Sequence, residues 1–347
     1  MAIADSSTRC IYSNRILPDM KKVIVTGGAG FVGLHLARRL AEQGMEVVVA
    51  DNFFRGKKDA EFEALCALPN VSFVQIDLTK PETLNALPTD VEGVYLLGAV
   101  NGTKLFYEMP DLVMRVNGVG VIHLLDWAAT HGKPRILFTS SSEAYAGALE
   151  AFHQLPLPTP EDVPLVISDP KNVRWSYGAS KMFGEVACHA WAKMFDLDIR
   201  IIRYHNIIGP RMGYEHVIPQ FLMRIIGKAD PFPLYGGDET RVFCDVRDAV
   251  RATQLVMERK GIAGETVHVG AEGEISMRAL AEKMFAWFDV HPSFDVHPAP
   301  TGSVLRRVPD ITKLKTLTGY VPEHDLEETV RWMEEWYREH RKEWPAK

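Results

Sequence analysis

Apolar positions near the start of the chain change from a strand pattern to a helix pattern within a few residues. The run Val23-Ile24-Val25 is β-branched and uninterrupted, as in a fully buried strand. The segment after it repeats apolar residues at helical spacing, at Leu34, Leu36, Ala37, Leu40 and Ala41. Between the two patterns stand Gly27, Gly30 and Gly33. The chain is therefore predicted to pass from a strand through a glycine turn into a helix.

Strand and helix patterns go on alternating up to about residue 203. Further strands are predicted at 46–50, 71–76, 93–99, 135–140 and 198–203, and long helices at 111–130 and 176–195. A loop rich in proline and acidic residues is predicted at about 147–173. Such alternation is typical of βαβ units. We therefore predict an α/β fold of Rossmann type, a doubly wound parallel sheet with helices on both faces.

The pattern loosens after residue 204, where prolines interrupt it. Shorter helices are predicted at 220–226, 248–259, 277–288 and 326–340, and strands at 240–246 and 266–270. We interpret 20–203 as a cofactor-binding domain to which about 241–270 also contributes, and 204–347 mainly as a smaller α/β substrate-binding lobe. Residues 1–19 lack the apolar core of a secretory signal and are expected to be a flexible leader.

Composition narrows the class of protein. A net charge of −6 is unfavourable for a nucleic-acid surface, and no apolar run reaches the roughly 18 residues of a membrane span. The 4 cysteines are scattered without a CxxC pair, which suits reduced thiols in a cytoplasm. The histidines show no metal-ligand spacing. We therefore expect a cytoplasmic protein that has no nucleic acid, membrane or metal as a partner.

The glycine turn carries the first candidate chemistry. Glycines at this point allow a tight turn, the close approach of a pyrophosphate and close packing of helix on sheet. The helix that follows presents free N–H groups and a positive dipole to phosphates. Asp51 ends the next strand about 20 residues on, where an acid takes an adenosine ribose hydroxyl. Asp51 favours NAD over NADP, although Arg55, Lys57 and Lys58 close behind it keep NADP open.

A tyrosine and a lysine form the second candidate site. Tyr177 and Lys181 stand four residues apart at the start of a predicted helix, which places them on one face. A nearby ammonium group is expected to lower the pKa of the tyrosine for acid–base work near neutral pH. The predicted strand at 135–140 leads into Ser141, Ser142 and Glu143, and a serine there could bond the hydroxyl that Tyr177 bonds.

With these residues in view, the sequence resembles the extended short-chain dehydrogenase/reductase family, in its nucleotide-sugar epimerase/dehydratase branch. The matching motifs are TGGAGFVG, DNFFRGKK, LLGAVNG, RVNGVG, FTSSSEAY, YGASK, RYHNIIGP, TRVFCDVRDAV and RRVPDITK. They run from residue 22 to about 320 in the family's order. Departures fall at Leu96, Gly98 and Ala146, and at His205, where phenylalanine is frequent.

The resemblance implies roles for individual residues. NAD would be held by Gly27, Gly30, Phe31, Val32, Gly33, Asp51, Asn52, Arg55, Asp77, Leu78, Leu97, Gly98, Ala99, Asn117, Tyr177 and Lys181. Tyr177 would take a proton from a sugar hydroxyl, with Ser141 assisting and Lys181 on the nicotinamide ribose. The sugar diphosphate would be bound by Asn206, Val217, Arg241 and Arg307. Two long helices, 111–130 and 176–195, would pair in a homodimer.

The reaction expected from the resemblance is NAD-dependent 4-epimerisation of an NDP-hexose or NDP-uronate through a transient 4-keto sugar. Two residues leave alternatives open. Ser142-Glu143, like Arg174-Trp175, resembles the UDP-glucuronate decarboxylases, and Glu143 could also serve a 4,6-dehydratase. His216 and Glu143 could move protons in a 3,5-epimerase. Either residue could instead be structural, and the intact Ser141/Tyr177/Lys181 set disfavours a non-enzymatic NAD-binding protein.

Overall fold

The structure is a computed structural model that describes residues 20–152, 155–299 and 305–345. The predicted leader 1–19 lies outside these residues. The strands are β1 (Lys22–Thr26), β2 (Glu46–Asp51), β3 (Val71–Gln75), β4 (Gly93–Leu96), β5 (Arg135–Ser141), β6 (Ile199–Tyr204), β7 (Ile207–Ile208), β8 (Phe232–Tyr235), β9 (Thr240–Arg241), β10 (Cys244–Asp245), β11 (Thr266–Val269), β12 (Ile275–Ser276), β13 (Phe294–His297) and β14 (Arg306–Arg307).

The helices complete the alternation. They are α1 (Phe31–Glu42), α2 (Ala60–Cys66), α3 (Thr103–Glu108), α4 (Pro110–Met114), α5 (Gly120–Thr130), α6 (Glu143–Phe152), α7 (Ser176–Phe195), α8 (Val217–Ile226), α9 (Val246–Glu258), α10 (Met277–Phe288), α11 (Thr312–Thr318) and α12 (Leu326–Glu339). Short 3₁₀ turns lie at Pro81–Ala86, Val173–Trp175 and Arg341–Glu343.

A seven-stranded parallel sheet forms the centre of the molecule, with the strand order β11-β6-β5-β4-β1-β2-β3. This order confirms the predicted Rossmann-type fold. The order in which strands are added to the sheet reverses between β1 and β4, which are parallel neighbours with Ile24 opposite Val94. In open sheets of this kind, ligands bind in the crevice outside the carboxyl ends of the strands at that reversal.

Both faces of the sheet are covered. One core packs α1 and α9 on the sheet through residues such as Leu36 and Val250, and the other packs α5 and α7 through residues such as Leu124 and Cys188. A third apolar cluster joins α8, α10 and α12 beside the sheet. The apolar stripes read from the sequence therefore face these cores, as burial of apolar surface requires.

Several predicted boundaries were wrong. The predicted loop 147–173 begins inside α6, which buries Ala144, Tyr145 and Ala148 under the site. The strand at 93–99 ends at Leu96, because the chain leaves the sheet there to line the crevice. The predicted strand at 240–246 is two short strands, β9 and β10, that pair with different partners. In these places tertiary contacts override local propensity.

The predicted helix 111–130 is the continuous helical segment Pro110–Thr130, with a π-helical turn at Arg115–Val119. By length and composition it is the one described helix that could cross a membrane. Half of its most apolar window is buried inside the protein, as in an ordinary core helix. It packs along α7, so burial against the protein accounts for its apolar composition.

Candidate active site

A cavity of about 790 Å³ opens at the carboxyl edge of the sheet. The glycine turn and the ends of β2, β4 and β5 form one side, and the segment from Asn206 to Ile218 forms the other. The size and position suit a dinucleotide together with a second ligand. Of the predicted site residues, Asn117 and Arg241 do not line this cavity; the others do.

The glycine turn is built as a phosphate cradle. Gly27 has a φ of +68°, which side-chain-bearing residues rarely adopt. A Cβ on Gly33 would lie 2.1 Å from the Gly27 carbonyl oxygen, so only glycine allows this close packing. Helix α1 begins at Phe31, and its first N–H groups face the cavity. These residues fit the pyrophosphate of a dinucleotide.

The acid predicted to bind the adenosine ribose is held by the backbone around it. Asp51 accepts hydrogen bonds from the Ala29 N–H at 3.1 Å and the Phe53 N–H at 2.7 Å. Burial raises the pKa of Asp51 although these bonds lower it. Asn52, Arg55, Asp77 and Leu78, which were predicted to hold NAD, line the cavity as well. The geometry fits NAD.

Of the other residues predicted to hold NAD, some line the cavity and one does not. Leu97, Gly98 and Ala99 line the cavity. Asn117 is fully buried, and its amide accepts from the Val100 N–H and donates to the Val100 carbonyl at 2.7 and 2.8 Å. Asn117 therefore positions the backbone of this loop, a role that only the fold could reveal.

Tyr177 lies at the centre of the cavity. Its hydroxyl forms hydrogen bonds with the side chains of Ser141 and Asn101. Its ring stacks on Phe106 from α3, with centroids 4.9 Å apart. Burial raises the pKa of Tyr177 to about 12, against the lowering expected from the sequence. The hydroxyl is thus a fixed proton donor and acceptor between two polar neighbours.

Lys181 is as deeply buried as Tyr177. Its ammonium donates to the Thr139 carbonyl at 2.8 Å and lies 5.8 Å from the Tyr177 ring centre. Burial lowers the pKa of Lys181 to about 8. The predicted direct lowering of the Tyr177 pKa by this ammonium was wrong, because the ammonium is directed at the end of β5. It stays free to serve a ligand hydroxyl beside Tyr177.

A carboxylate between two guanidinium groups lies beside these residues. Glu143 forms ion pairs with Arg307 at 2.8 Å and with Arg174 at 3.3 Å. Its N–H donates to the Ser141 hydroxyl at 3.2 Å, which ties it to the serine at the end of β5. Burial alone would raise the pKa of Glu143, but Arg307 and Arg174 hold it below its ordinary value. Glu143 is therefore an ionised carboxylate inside the cavity.

The remaining predicted residues have different positions around the cavity. Ser142 is buried, and Asn206 donates from its amide to the Val242 carbonyl at 2.9 Å. His216 directly precedes α8, and burial lowers its pKa to about 4, so its imidazole is neutral at physiological pH. Val217 opens the helix. Arg241 forms an ion pair with Glu239 at 3.1 Å instead of lining the cavity.

Asn101, Phe106 and Arg211 are among the residues of the site that sequence reasoning missed. Phe106 lies on α3, a short helix with no clear periodic pattern. Asn101 is part of LLGAVNG, so the motif itself was a usable signal. Arg211 follows the Gly-Pro of RYHNIIGP directly, yet a lone arginine after a turn carries no sequence signal of its own. Among the described residues no group of three His, Cys, Asp or Glu could hold a metal ion.

The fold and the site define a class of protein. The NAD dependent epimerase/dehydratase family matches residues 23–270. The chain belongs to this family, and its cofactor is NAD. It is an enzyme of the nucleotide-sugar epimerase/dehydratase type.

Individual relatives add detail. The chain is 32% identical to a UDP-N-acetyl-alpha-D-glucosaminuronate decarboxylase of Bacillus cytotoxicus, over 91% of this chain and 98% of that protein. It is also 32% identical to UDP-glucuronic acid decarboxylase 5 of Arabidopsis thaliana, over 91% and 89% of the two chains. The crystal structure of a dTDP-glucose 4,6-dehydratase from Streptomyces venezuelae with NAD bound superposes with a TM-score of 0.82 at 27% identity, covering 93% and 98%.

Proposed function

We propose that the protein is an NAD-dependent decarboxylase of a UDP-linked uronate. The observation that carries the proposal is Glu143, held ionised between Arg307 and Arg174 beside Ser141 and Tyr177. The two decarboxylase relatives support it. Loss of CO2, which the sequence left as an alternative, is thus better supported than the 4-epimerisation expected first.

Bound NAD would accept a hydride from C4 of the sugar and later return it. Tyr177 would take the proton of the C4 hydroxyl as a phenolate, a form that the positive charge of oxidised NAD would favour, with Ser141 and Asn101 holding its oxygen in place. The resulting C4 ketone lies β to the C5 carboxylate. The bond between C5 and the carboxylate then breaks, CO2 leaves, and the electron pair passes onto the ketone oxygen.

The charged residues fit the remaining steps. Arg307 lines the cavity and presents a cationic group to a sugar carboxylate, since guanidinium is suited to paired recognition of carboxylates. Arg174 does not line the cavity and acts through its ion pair with Glu143. A proton must then reach C5 to replace the lost CO2, and Glu143 is the ionisable group that orients this end of the site. Return of the hydride to C4 and of a proton to its oxygen completes a UDP-pentose.

A 4,6-dehydratase is the second candidate, favoured by the structural likeness. That reaction expels a C6 hydroxyl and needs an acid to protonate it. The dehydratases that this sequence resembles have an Asp-Glu pair, and here the first position is Ser142, a buried hydroxyl that cannot supply that acidity. The Ser142-Glu143 pair therefore supports decarboxylation over dehydration.

The decisive experiment incubates the protein and NAD with UDP-glucuronate, UDP-N-acetylglucosaminuronate or UDP-glucose in D2O, followed by mass spectrometry. Decarboxylation predicts loss of the mass of CO2 and one solvent deuteron on carbon from a uronate, with no such change for UDP-glucose. A product of unchanged mass that is a new epimer would instead establish 4-epimerisation. Loss of water would establish the dehydratase.

We also infer that the protein forms a homodimer. Apolar side chains of α7 stay exposed, with Val186 62% and Met194 73% accessible. Phe183 on the same helix lies against Gly118 of the neighbouring helical segment and is exposed as well, so the apolar surface continues across both helices. A second copy offers the same surface and would bury it in a self-complementary contact.

A further inference from the structure

Arg211 has an unusual conformation and environment. Its φ of +71° is strained for a residue with a side chain. Its side chain is 2% exposed, although guanidinium groups are costly to bury without partners. Neither feature is explained by the chemistry of the sugar. A residue in such a state is held there by its surroundings.

The surroundings of Arg211 satisfy its guanidinium completely. Nη1 donates to the carbonyls of Ala29 and Gly30 at 2.8 and 2.9 Å. Nη2 donates to the Lys57 carbonyl at 2.9 Å and to Asp59 at 3.1 Å, and Nε donates to Asp59 at 2.8 Å. The planar fork of arginine thus joins the glycine turn to the loop that follows β2. Lysine could not make these five bonds.

The backbone of Ala29 links the Arg211 guanidinium to the cofactor site. Its N–H donates to Asp51, and its carbonyl accepts from Arg211. It also accepts from the Lys57 N–H at 3.1 Å. A ligand that orders the turn around Ala29 therefore acts on Arg211 through the backbone of one residue.

Arg211 also lies within the segment from Asn206 to Ile218 that forms the opposite wall of the cavity. Met212, His216 and Val217 follow it and line the substrate side. The Met212 N–H donates back to the Gly209 carbonyl, and the Tyr337 hydroxyl donates to the Met212 carbonyl, so the segment starts from a fixed point. The position of Arg211 therefore affects the positions of Met212, His216 and Val217 in this wall.

We propose that Arg211 is a positioning residue that couples the cofactor site to the nucleotide-sugar site. When the glycine turn is ordered by NAD, Arg211 holds the 212–217 segment in the arrangement that receives the sugar nucleotide. Each ligand then tightens the binding of the other, since coupling between two sites is reciprocal. The proposal concerns binding and is independent of which bond of the sugar breaks.

The test measures that coupling directly. Titration calorimetry gives the Kd of UDP with and without saturating NAD, for the wild type and for Arg211→Lys. The wild type is expected to bind UDP about tenfold more tightly with NAD present, within the usual range of such couplings. In Arg211→Lys the ratio is expected to fall towards one. A merely structural role would lower the Tm and weaken both affinities but would leave their ratio unchanged.

Two further variants keep the test decisive. Asp59→Asn removes a charged acceptor of Arg211. Its side-chain oxygen can still accept the Phe62 N–H at the start of α2, so the helix cap is kept. This variant can therefore be used if Arg211→Lys fails to fold. It should reduce the coupling ratio in the same direction. Glu343→Gln is the matched control. It removes an exposed ion pair to Lys57, on the same loop, and should leave the ratio as in the wild type.

Either of two results would overturn the proposal: a wild type whose UDP affinity is unaffected by NAD, or an Arg211 or Asp59 variant that keeps the wild-type ratio. The choice of UDP as the probe rests on the proposed function. Neither titration needs turnover, so a failure of decarboxylation would be seen separately in the product assay.

Discussion

The Arg307 guanidinium lies 2.8 Å from the Glu143 carboxylate, and both side chains face the cavity that contains Tyr177. Glu143 follows the central strand β5, whereas Arg307 comes from β14 in the last part of the chain. The pair therefore joins the two halves of the chain at the cavity in which the proposed function places the sugar. On that proposal, the ionised carboxylate held by arginines is positioned to act on the substrate.

Replacing Glu143 by glutamine should abolish most of the decarboxylation. The substitution keeps the shape but removes the charge that holds Arg307 in place for the sugar carboxylate, and misplacement of such a group can cost about 10²-fold in rate. CO2 release from UDP-glucuronate or UDP-N-acetylglucosaminuronate measures the loss. The 4-keto sugar should still form, since Tyr177 and Lys181 are unchanged, and would be detected by mass spectrometry.

Glu274→Gln is the control for that experiment. Glu274 pairs with the neighbouring Arg306 at 2.7 Å, but neither residue lines the cavity. The Glu274→Gln variant should release CO2 at close to the wild-type rate, since part-exposed ion pairs contribute little to stability. If Glu143→Gln released CO2 as fast as Glu274→Gln, Glu143 would be structural.

Tyr177→Phe should lower kcat by about 10²–10⁴-fold, because the proton acceptor for the C4 hydroxyl is lost. The phenyl ring can still stack on Phe106, so the Kd for NAD should change little. Tyr107→Phe, on the exposed side of α3, is the matched control and should keep its activity. Steady-state rates and NAD titration test both variants. Normal turnover by Tyr177→Phe would contradict the assigned role.

The buried Lys181 should make the stability of the ligand-free protein depend on pH. Burial lowers its pKa from 10.5 to about 8, so between these values the unfolded chain binds more protons than the folded one. The free energy of unfolding should therefore rise with pH across that window. Lys181→Met lacks this dependence. The free energy of unfolding of Lys181→Met should exceed that of the wild type by at most about 3 kcal/mol at pH 7, and this difference should shrink towards pH 10.

Urea unfolding of the ligand-free wild type and Lys181→Met at pH 7, 8.5 and 10 measures this difference. Lys104→Met is the control. The Lys104 side chain is 61% exposed, so the stability difference between this variant and the wild type should change far less with pH. A constant stability difference between wild type and Lys181→Met over this range would show that Lys181 is not buried in the ligand-free chain.

Val186→Glu should disrupt the proposed homodimer. A carboxylate at the centre of the exposed apolar surface of α7 would have to be desolvated in the dimer, which costs several kcal/mol. Light scattering at micromolar concentration should show a dimer for the wild type and a monomer for the variant. Val296→Glu, also exposed but on β13, should remain dimeric. A monomeric wild type would remove the prediction.

The sequence determined the features that depend on residues close together in the chain. The buried strand, glycine turn and helix around residue 30 follow from local pattern, because side-chain volume and backbone freedom act there within one turn. The spacing of Tyr177 and Lys181 placed both on one face of α7 for the same reason. The family motifs then implied the Rossmann-type fold and the NAD site.

Only the tertiary structure decided how distant residues meet. It joined Glu143 to Arg307, turned Asn117 onto Val100 and directed Lys181 to the end of β5. It also paired Arg241 with Glu239, away from the cavity lining. In each case, the packing of the fold brings one of several possible partners within hydrogen-bond distance. A sequence pattern reports the period of an element, whereas the partner of a buried charge is set by the low-dielectric space that the whole fold encloses.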